Sequence, residues 1–182
     1  ELAFLDGISF VDSERGYVFG DPVDGQWMIL ETQNGGDSWD LIHSAPMAVE
    51  GEAGFAASAS SLVAFEDFIW LGTGGMEANL WESLDRGLTW KKYSSPLIQG
   101  ESSQGIFSIV RTNENKVLAV GGDYLNPDER EGNSGLFQIE GKTWEQIITP
   151  PFGYRSGVAI YDPYNWLITV GPDGSDFSTD EG

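Results

Sequence analysis

Short apolar runs alternate with polar, glycine-rich breaks along the whole chain. Four of the runs end on glycine: Tyr17-Val18-Phe19-Gly20, Ile69-Trp70-Leu71-Gly72, Leu118-Ala119-Val120-Gly121 and Ile168-Thr169-Val170-Gly171. Their glycines are spaced by 52, 49 and 50 residues (72−20, 121−72, 171−121). A second marker shares the period, because Trp39, Trp90 and Trp144 step by 51 and 54 (90−39, 144−90). The runs are short and rich in β-branched and aromatic residues, which reads as strand. Nothing has the 3.6-residue period, length and caps of a helix. A period near 50 with about four strands per unit predicts the blades of a β-propeller.

The strands expected in the first unit are 8–11, 16–20, 26–32 and 38–42. The second has 61–65, 68–72, 79–83 and 89–93, and the third 106–111, 116–121, 135–139 and 143–147. The fourth has 157–161, 166–171 and 176–178. The predicted fold is therefore all-β, a partial propeller of four-stranded antiparallel blades over 1–182. Its blades lie near 7–44, 54–94, 105–149 and 156–182, the last incomplete. About three and a half blades are present where propellers close with roughly four to eight. The chain is thus expected to be part of a six- to eight-bladed ring. Its end blades should be covered by the remaining blades of the same protein or by a second copy.

The turns between the third and fourth strands carry a motif. Ser83-Leu84-Asp85-Arg86-Gly87-Leu88-Thr89-Trp90 is the fullest copy. The hydroxyl closes a strand, and the carboxylate accepts bonds from the turn's own N–H groups. The glycine supplies a positive φ. The threonine returns the chain to β geometry, and the tryptophan covers the hairpin. Thr32, Asn34, Gly36, Ser38 and Trp39 repeat it with Asn for Asp. Ser178, Asp180 and Gly182 begin a further copy, and Thr143 and Trp144 end a shorter one. The pattern resembles the Asp-box, or BNR repeat, of sialidase-like β-propellers. The resemblance implies that these turns are structural and lie on the rim away from the ligand face. More of the chain is similar to one group within that superfamily. Its carriers are Gly20-Asp21-Pro22-Val23-Asp24-Gly25, Gly51-Glu52-Ala53-Gly54-Phe55-Ala56-Ala57-Ser58 and Gly171-Pro172-Asp173-Gly174-Ser175-Asp176. The group is the bacterial proteins similar to the plant photosystem II stability/assembly factor. That resemblance implies seven blades and export, to the periplasm or outside the cell, with no settled activity.

Charge narrows the partners. Asp and Glu number 29 against 9 Lys and Arg, a net charge of −20. Nucleic acids and anionic membrane surfaces need a basic patch, so neither is an expected partner. No stretch approaches the roughly 20 apolar residues of a membrane helix, so membrane insertion is not expected. There are no cysteines, hence no disulfide and no thiol chemistry.

In a propeller the loops after the second strand and between blades share the upper face. Candidates there are the carboxylates Asp21, Asp24, Glu52 and Asp123, with Arg155, and the ligand-face residues Phe55, Tyr124, Tyr154 and Asp173. Sialidase-type chemistry needs several arginines gripping a carboxylate, and the five here (Arg15, Arg86, Arg111, Arg130, Arg155) are scattered. A xyloglucanase-like hydrolase needs two carboxylates flanking a sugar bond. Calcium would suit oxygen-rich turns such as Asp21 with Asp24 or Asp173 with Asp176. His43, the single histidine, borders an outer strand and reads as structural or surface. The remaining reading is a module that binds a protein or a glycan, with a glycoside hydrolase as its alternative.

Overall fold

Strand alternation and turn chemistry produce four antiparallel sheets. The computed structural model describes residues 4–57, 59–164 and 166–180, so Gly182 of the last turn motif lies outside the described residues. The first sheet runs in order through β1 (Leu5–Phe10), β2 (Gly16–Val23), β3 (Gln26–Thr32) and β4 (Asp40–Leu41). After β5 (Glu52–Ala53), the second sheet is built from β6 (Leu62–Phe65), β7 (Phe68–Gly72), β9 (Asn79–Ser83) and β10 (Lys91–Ser94). The third holds β11 (Gln104–Asn113), β12 (Lys116–Asp123), β13 (Ser134–Gln138) and β14 (Thr143–Glu145). Its inner edge is extended by β8 (Gly74–Gly75) and β5, which come from the preceding unit. The fourth has β15 (Gly157–Tyr161), β16 (Trp166–Gly171) and β17 (Gly174–Ser178). The architecture is the propeller type read from the sequence. The outer strands are shorter than expected, two residues in β4 and three in β14. The expected turn at 21–25 shrinks to Asp24-Gly25, whose φ angles of 53° and 81° fit a two-residue hairpin turn matched to strand twist.

The recurring glycine has a steric cause. A Cβ on Gly20, Gly121 or Gly171 would lie 2.1, 1.9 or 2.3 Å from the carbonyl oxygens of Phe4, Gly105 and Tyr154. The middle strand approaches the inner strand too closely there for any side chain. Gly72 is not the fourth member of this set. Thr32, Ser83 and Ser178, which open the turn motifs, pair with Gly16, Ile69 and Leu167. Four residues on from those partners come Gly20, Thr73 and Gly171, so Gly72 stands one place early. A Cβ on it would meet Ile106 Cγ2 of the next sheet at 2.5 Å instead.

The core lies in layers between sheets. Successive residues of a strand face opposite ways, so each middle strand serves two layers. Tyr17 and Phe19 pack forward onto Leu62, Ala64, Ile69 and Leu71. Trp70 and Leu80 pack forward onto Ile106, Ile109, Val117 and Ala119. Leu118 and Val120 pack forward onto Val158 and Leu167.

The turn motifs close these sheets at one rim. Thr89 donates from its N–H (2.8 Å) and hydroxyl (2.6 Å) to the Asp85 carboxylate, while Gly87 N–H donates to Ser83 Oγ at 2.7 Å. In the Asn34 copy, Ser38 N–H donates to Asn34 Oδ1 and Asn34 Nδ2 donates back to Ser38 Oγ, both at 2.9 Å. An amide thus replaces a carboxylate with one bond reversed. Ser178 Oγ donates to Asp180 Oδ1 at 2.7 Å. Trp39, Trp90 and Trp144 are half-buried rather than enclosed. The short third copy keeps Gly141 three residues before its tryptophan, but its left-handed residue is Lys142, at φ 53°. Lys142 Nζ reaches the buried Glu82 carboxylate of the second sheet at 2.6 and 2.8 Å.

Candidate functional site

Two β-bulges build the upper mouth. Leu5 pairs with Gly20 and Gly7 with Phe19, which leaves Asp6 as an extra residue in β1. Ile106 pairs with Gly121 and Ser108 with Val120, which leaves Phe107 at the same place in β11. A bulge re-aims its side chain out of the ladder. The Phe107 ring stacks on Phe55 with centroids 3.8 Å apart and planes 10° from parallel. Its other contacts are edge-on, to Tyr154 at 4.8 Å and Tyr124 at 6.1 Å, and the two tyrosines are 6.5 Å apart. Three side chains assigned to this face from the sequence therefore converge on a fourth, Phe107, that the sequence reading missed. Phe107 lies between Ile106 and Ser108 in β11, in a stretch that reads as ordinary strand, with no glycine or proline to mark a bulge at that place. Loops from three sheets supply the cluster, and hydrogen bonds fix them. Tyr154 N–H donates to Pro127 O at 2.8 Å, and Gly54 N–H beside Phe55 donates to Asp21 Oδ1 at 3.1 Å. Phe107 and Tyr154 form the buried floor, and Tyr124 stands 46% exposed at the edge. Burial pushes the Tyr154 hydroxyl up to about 12, so it stays neutral.

Asp6 is the second residue missed. It is 3% exposed, its Oδ2 has no hydrogen-bond partner, and it lies against Gly54. Burial, and then the charge of Asp21, push its carboxyl up to about 7; the Asp21 backbone N–H pulls weakly the other way.

Three of the remaining candidates, Glu52, Asp123 and Arg155, are already engaged. Glu52 Oε1 accepts from Asn79 Nδ2 at 3.0 Å, from Trp81 Nε1 at 2.9 Å and from the Thr73 hydroxyl, while Oε2 accepts from Val49 N–H at 2.9 Å. That carboxylate clamps the linker onto the second sheet. Asp123 is buried, which raises its pKa, but bonds from Asn126, Ser103, Leu125 N–H and Gln104 outweigh this and hold it at about 2. Arg155, 2% exposed, spends Nε (2.7 Å) and Nη2 (2.5 Å) on Asp176 and Nη1 on Tyr154 O (2.9 Å). The residue expected to grip a ligand and the residue expected to bind metal neutralise each other. Asp24 and Asp173 are exposed turn residues. Among the described residues no group of three or more His, Cys, Asp or Glu is placed to hold a metal ion. The arginines do not converge either. Arg15 and Arg86 both reach Asp67, and Arg111 and Arg130 lie over Phe65 and Phe152. His43 is exposed, and its carbonyl accepts from Gln26 Nε2 at 3.1 Å.

No family model matches the chain, and no curated protein matches it. Solved structures do. A YCF48 protein bound to a D1 peptide aligns at 15% identity and TM-score 0.64, over 98% of this chain and 52% of that one. A GH74 enzyme from Niastella koreensis aligns at 13% identity and TM-score 0.68, over 98% of this chain and 26% of that one. The sialidase of Trypanosoma rangeli aligns at 15% identity and TM-score 0.52, over 93% of this chain and 30% of that one. This chain therefore spans about half the length of the first and about a quarter of the second. These likenesses show its fold, that of a β-propeller.

Proposed function

We propose that the chain is part of an exported propeller that binds a protein segment or a glycan across its upper mouth. The observation that carries this reading is the Phe55, Phe107, Tyr124 and Tyr154 cluster. Flat aromatic faces beside carboxylates suit sugar rings and apolar side chains alike. Among the residues that would do chemistry, Glu52, Asp123 and Arg155 are instead bound up in the fold. The peptide in the YCF48 structure belongs to that protein, and it supports the protein-segment half of the reading. One observation favours hydrolysis as a second reading. Asp6, whose carboxyl burial and the neighbouring Asp21 push up to about 7, is the kind of carboxyl that acid catalysis uses. Titration calorimetry with xyloglucan oligosaccharides and with a random peptide pool tests the proposal, using Tyr124→Ala as the control. Binding without turnover, weakened at least tenfold in the variant, is the expected result. Release of reducing ends that Asp6→Asn abolishes would favour the hydrolase. Binding untouched by Tyr124→Ala would remove the aromatic cluster from the site.

A further inference from the structure

Charge is divided unevenly between the two ends of the sheets. Of the 9 lysines and arginines, Arg15, Arg86, Arg111, Lys116 and Lys142 stand in or near the turns at the rim that carries the turn motifs. Lys91 and Lys92 lie in the outer strand β10, where Lys92 pairs with Glu77. Only Arg130 and Arg155 belong to loops of the mouth, and both are spent elsewhere. Arg155 is paired with Asp176, and Arg130 lies over the Phe152 ring with Nη2 donating to Pro150 O at 3.3 Å. Acids crowd the same end. The loop 124–133 carries Asp128, Glu129 and Glu131 against Arg130 alone. Asp123, just before Tyr124, is kept charged by its donors. Asp21 holds the Gly54 N–H beside Phe55, and Asp6 lies against Gly54 with one oxygen that has no donor.

The aromatic cluster is thus a set of ring faces inside an acidic mouth. Ring faces and carboxylates attract the same thing, a cation. A neutral sugar would stack on the rings and gain nothing from the acids. Two exposed aliphatic side chains border the rings. Leu125, 70% exposed, follows Tyr124, and Met76, 54% exposed, follows the Gly74-Gly75 pair against which Phe55 packs. Cations and aliphatic groups on one ligand are the chemistry of a polypeptide with basic residues. We propose, on the reading of the mouth as the binding site, that its ligand is a basic peptide segment. A lysine or arginine lies on the exposed side of Tyr124, and its charge is met by Asp21, Asp123 and the acids of the 124–133 loop.

Fluorescence anisotropy with three short labelled peptides tests this. They share leucine, serine and glycine and differ only in carrying arginine, glutamine or glutamate at the same places. The arginine peptide should bind at least tenfold more tightly than the glutamine peptide, and the glutamate peptide should not bind. Asp21→Asn with Asp128→Asn should weaken the arginine peptide at least threefold and leave the glutamine peptide unchanged. Asparagine at 21 keeps an acceptor for the Gly54 N–H, and Asp128 is exposed, so the fold should survive. An equal loss of charge at the opposite rim, in Glu114→Gln with Glu140→Gln, should leave both peptides unchanged. Equal weakening by the two pairs of variants would mean that overall charge alone attracts the peptide, and would overturn the proposal. A glutamine peptide or a xyloglucan oligosaccharide that binds as tightly as the arginine peptide, and weakens in Tyr124→Ala, would keep the mouth as the site and overturn its preference for a basic peptide. Tighter binding of chitosan oligosaccharides, cationic but without aliphatic side chains, would overturn it in favour of a glycan. Binding of the arginine peptide untouched by Tyr124→Ala would overturn both readings.

Discussion

Asp6 and Asp123 are two buried carboxyl groups with opposite fates. The usual aspartate value is about 3.9. Asp123 has four donors and sits below it, while Asp6 has an unpaired oxygen and sits above. Their linkage to stability has opposite signs. The contribution of Asp123 is fully present above about pH 4 and lost as pH falls through about 2. That of Asp6 is present below about pH 4 and lost as pH rises to about 7. Asp6→Asn should therefore gain in melting temperature over the native chain between those limits and hold a constant gain above them. A gain independent of pH would mean that Asp6 does not ionise as its surroundings dictate. Neither group was legible in the sequence as buried, since nothing there distinguishes them from the other acidic residues.

At the scale of an element, the turn motif was the most legible feature, because its geometry is local and each residue has one task. Replacing Asp85 with Ala should lower the melting temperature and leave ligand binding unchanged. The degenerate third copy shows where local reading fails. Lys142 sits at a left-handed position where glycine is the unstrained choice, and relief of that strain would gain about 1–2 kcal/mol. The side chain, however, neutralises Glu82, whose carboxylate is fully enclosed. Removing one partner of a buried pair costs about 3–5 kcal/mol, less here because Lys142 is 31% exposed, yet still the larger effect. Lys142→Gly is expected to destabilise the protein, and adding Glu82→Gln should recover most of the loss. Melting curves of the three variants check this. A contact sixty residues away decided the residue, and no local pattern records such a contact. The one-place error at Gly72 has the same origin. Two glycines in similar runs serve different neighbours, one a carbonyl of the same sheet and the other Ile106 of the next.

At the scale of the whole molecule, the period near 50 specified the repeating sheets. The mouth was only half legible. Its loop aromatics could be assigned to a face from topology, whereas the bulges that bring Asp6 and Phe107 to it leave no periodic trace.

Those bulges also bear on how such a mouth can diversify. A residue outside the ladder is aimed by the bulge and not by the strand's alternation, so a substitution there changes what reaches the mouth while the register of the strand stays in place. The same place in the second and fourth sheets falls on Ser60 and Ser156, one before Ser61 and Gly157, which face Gly72 and Val170. There the residue stays tied to strand backbone, because Ser60 O accepts from Ile109 N–H and Ser156 N–H donates to Val170 O. One place in the sheet thus carries an acid, an aromatic ring or a small hydroxyl, according to whether the strand bulges.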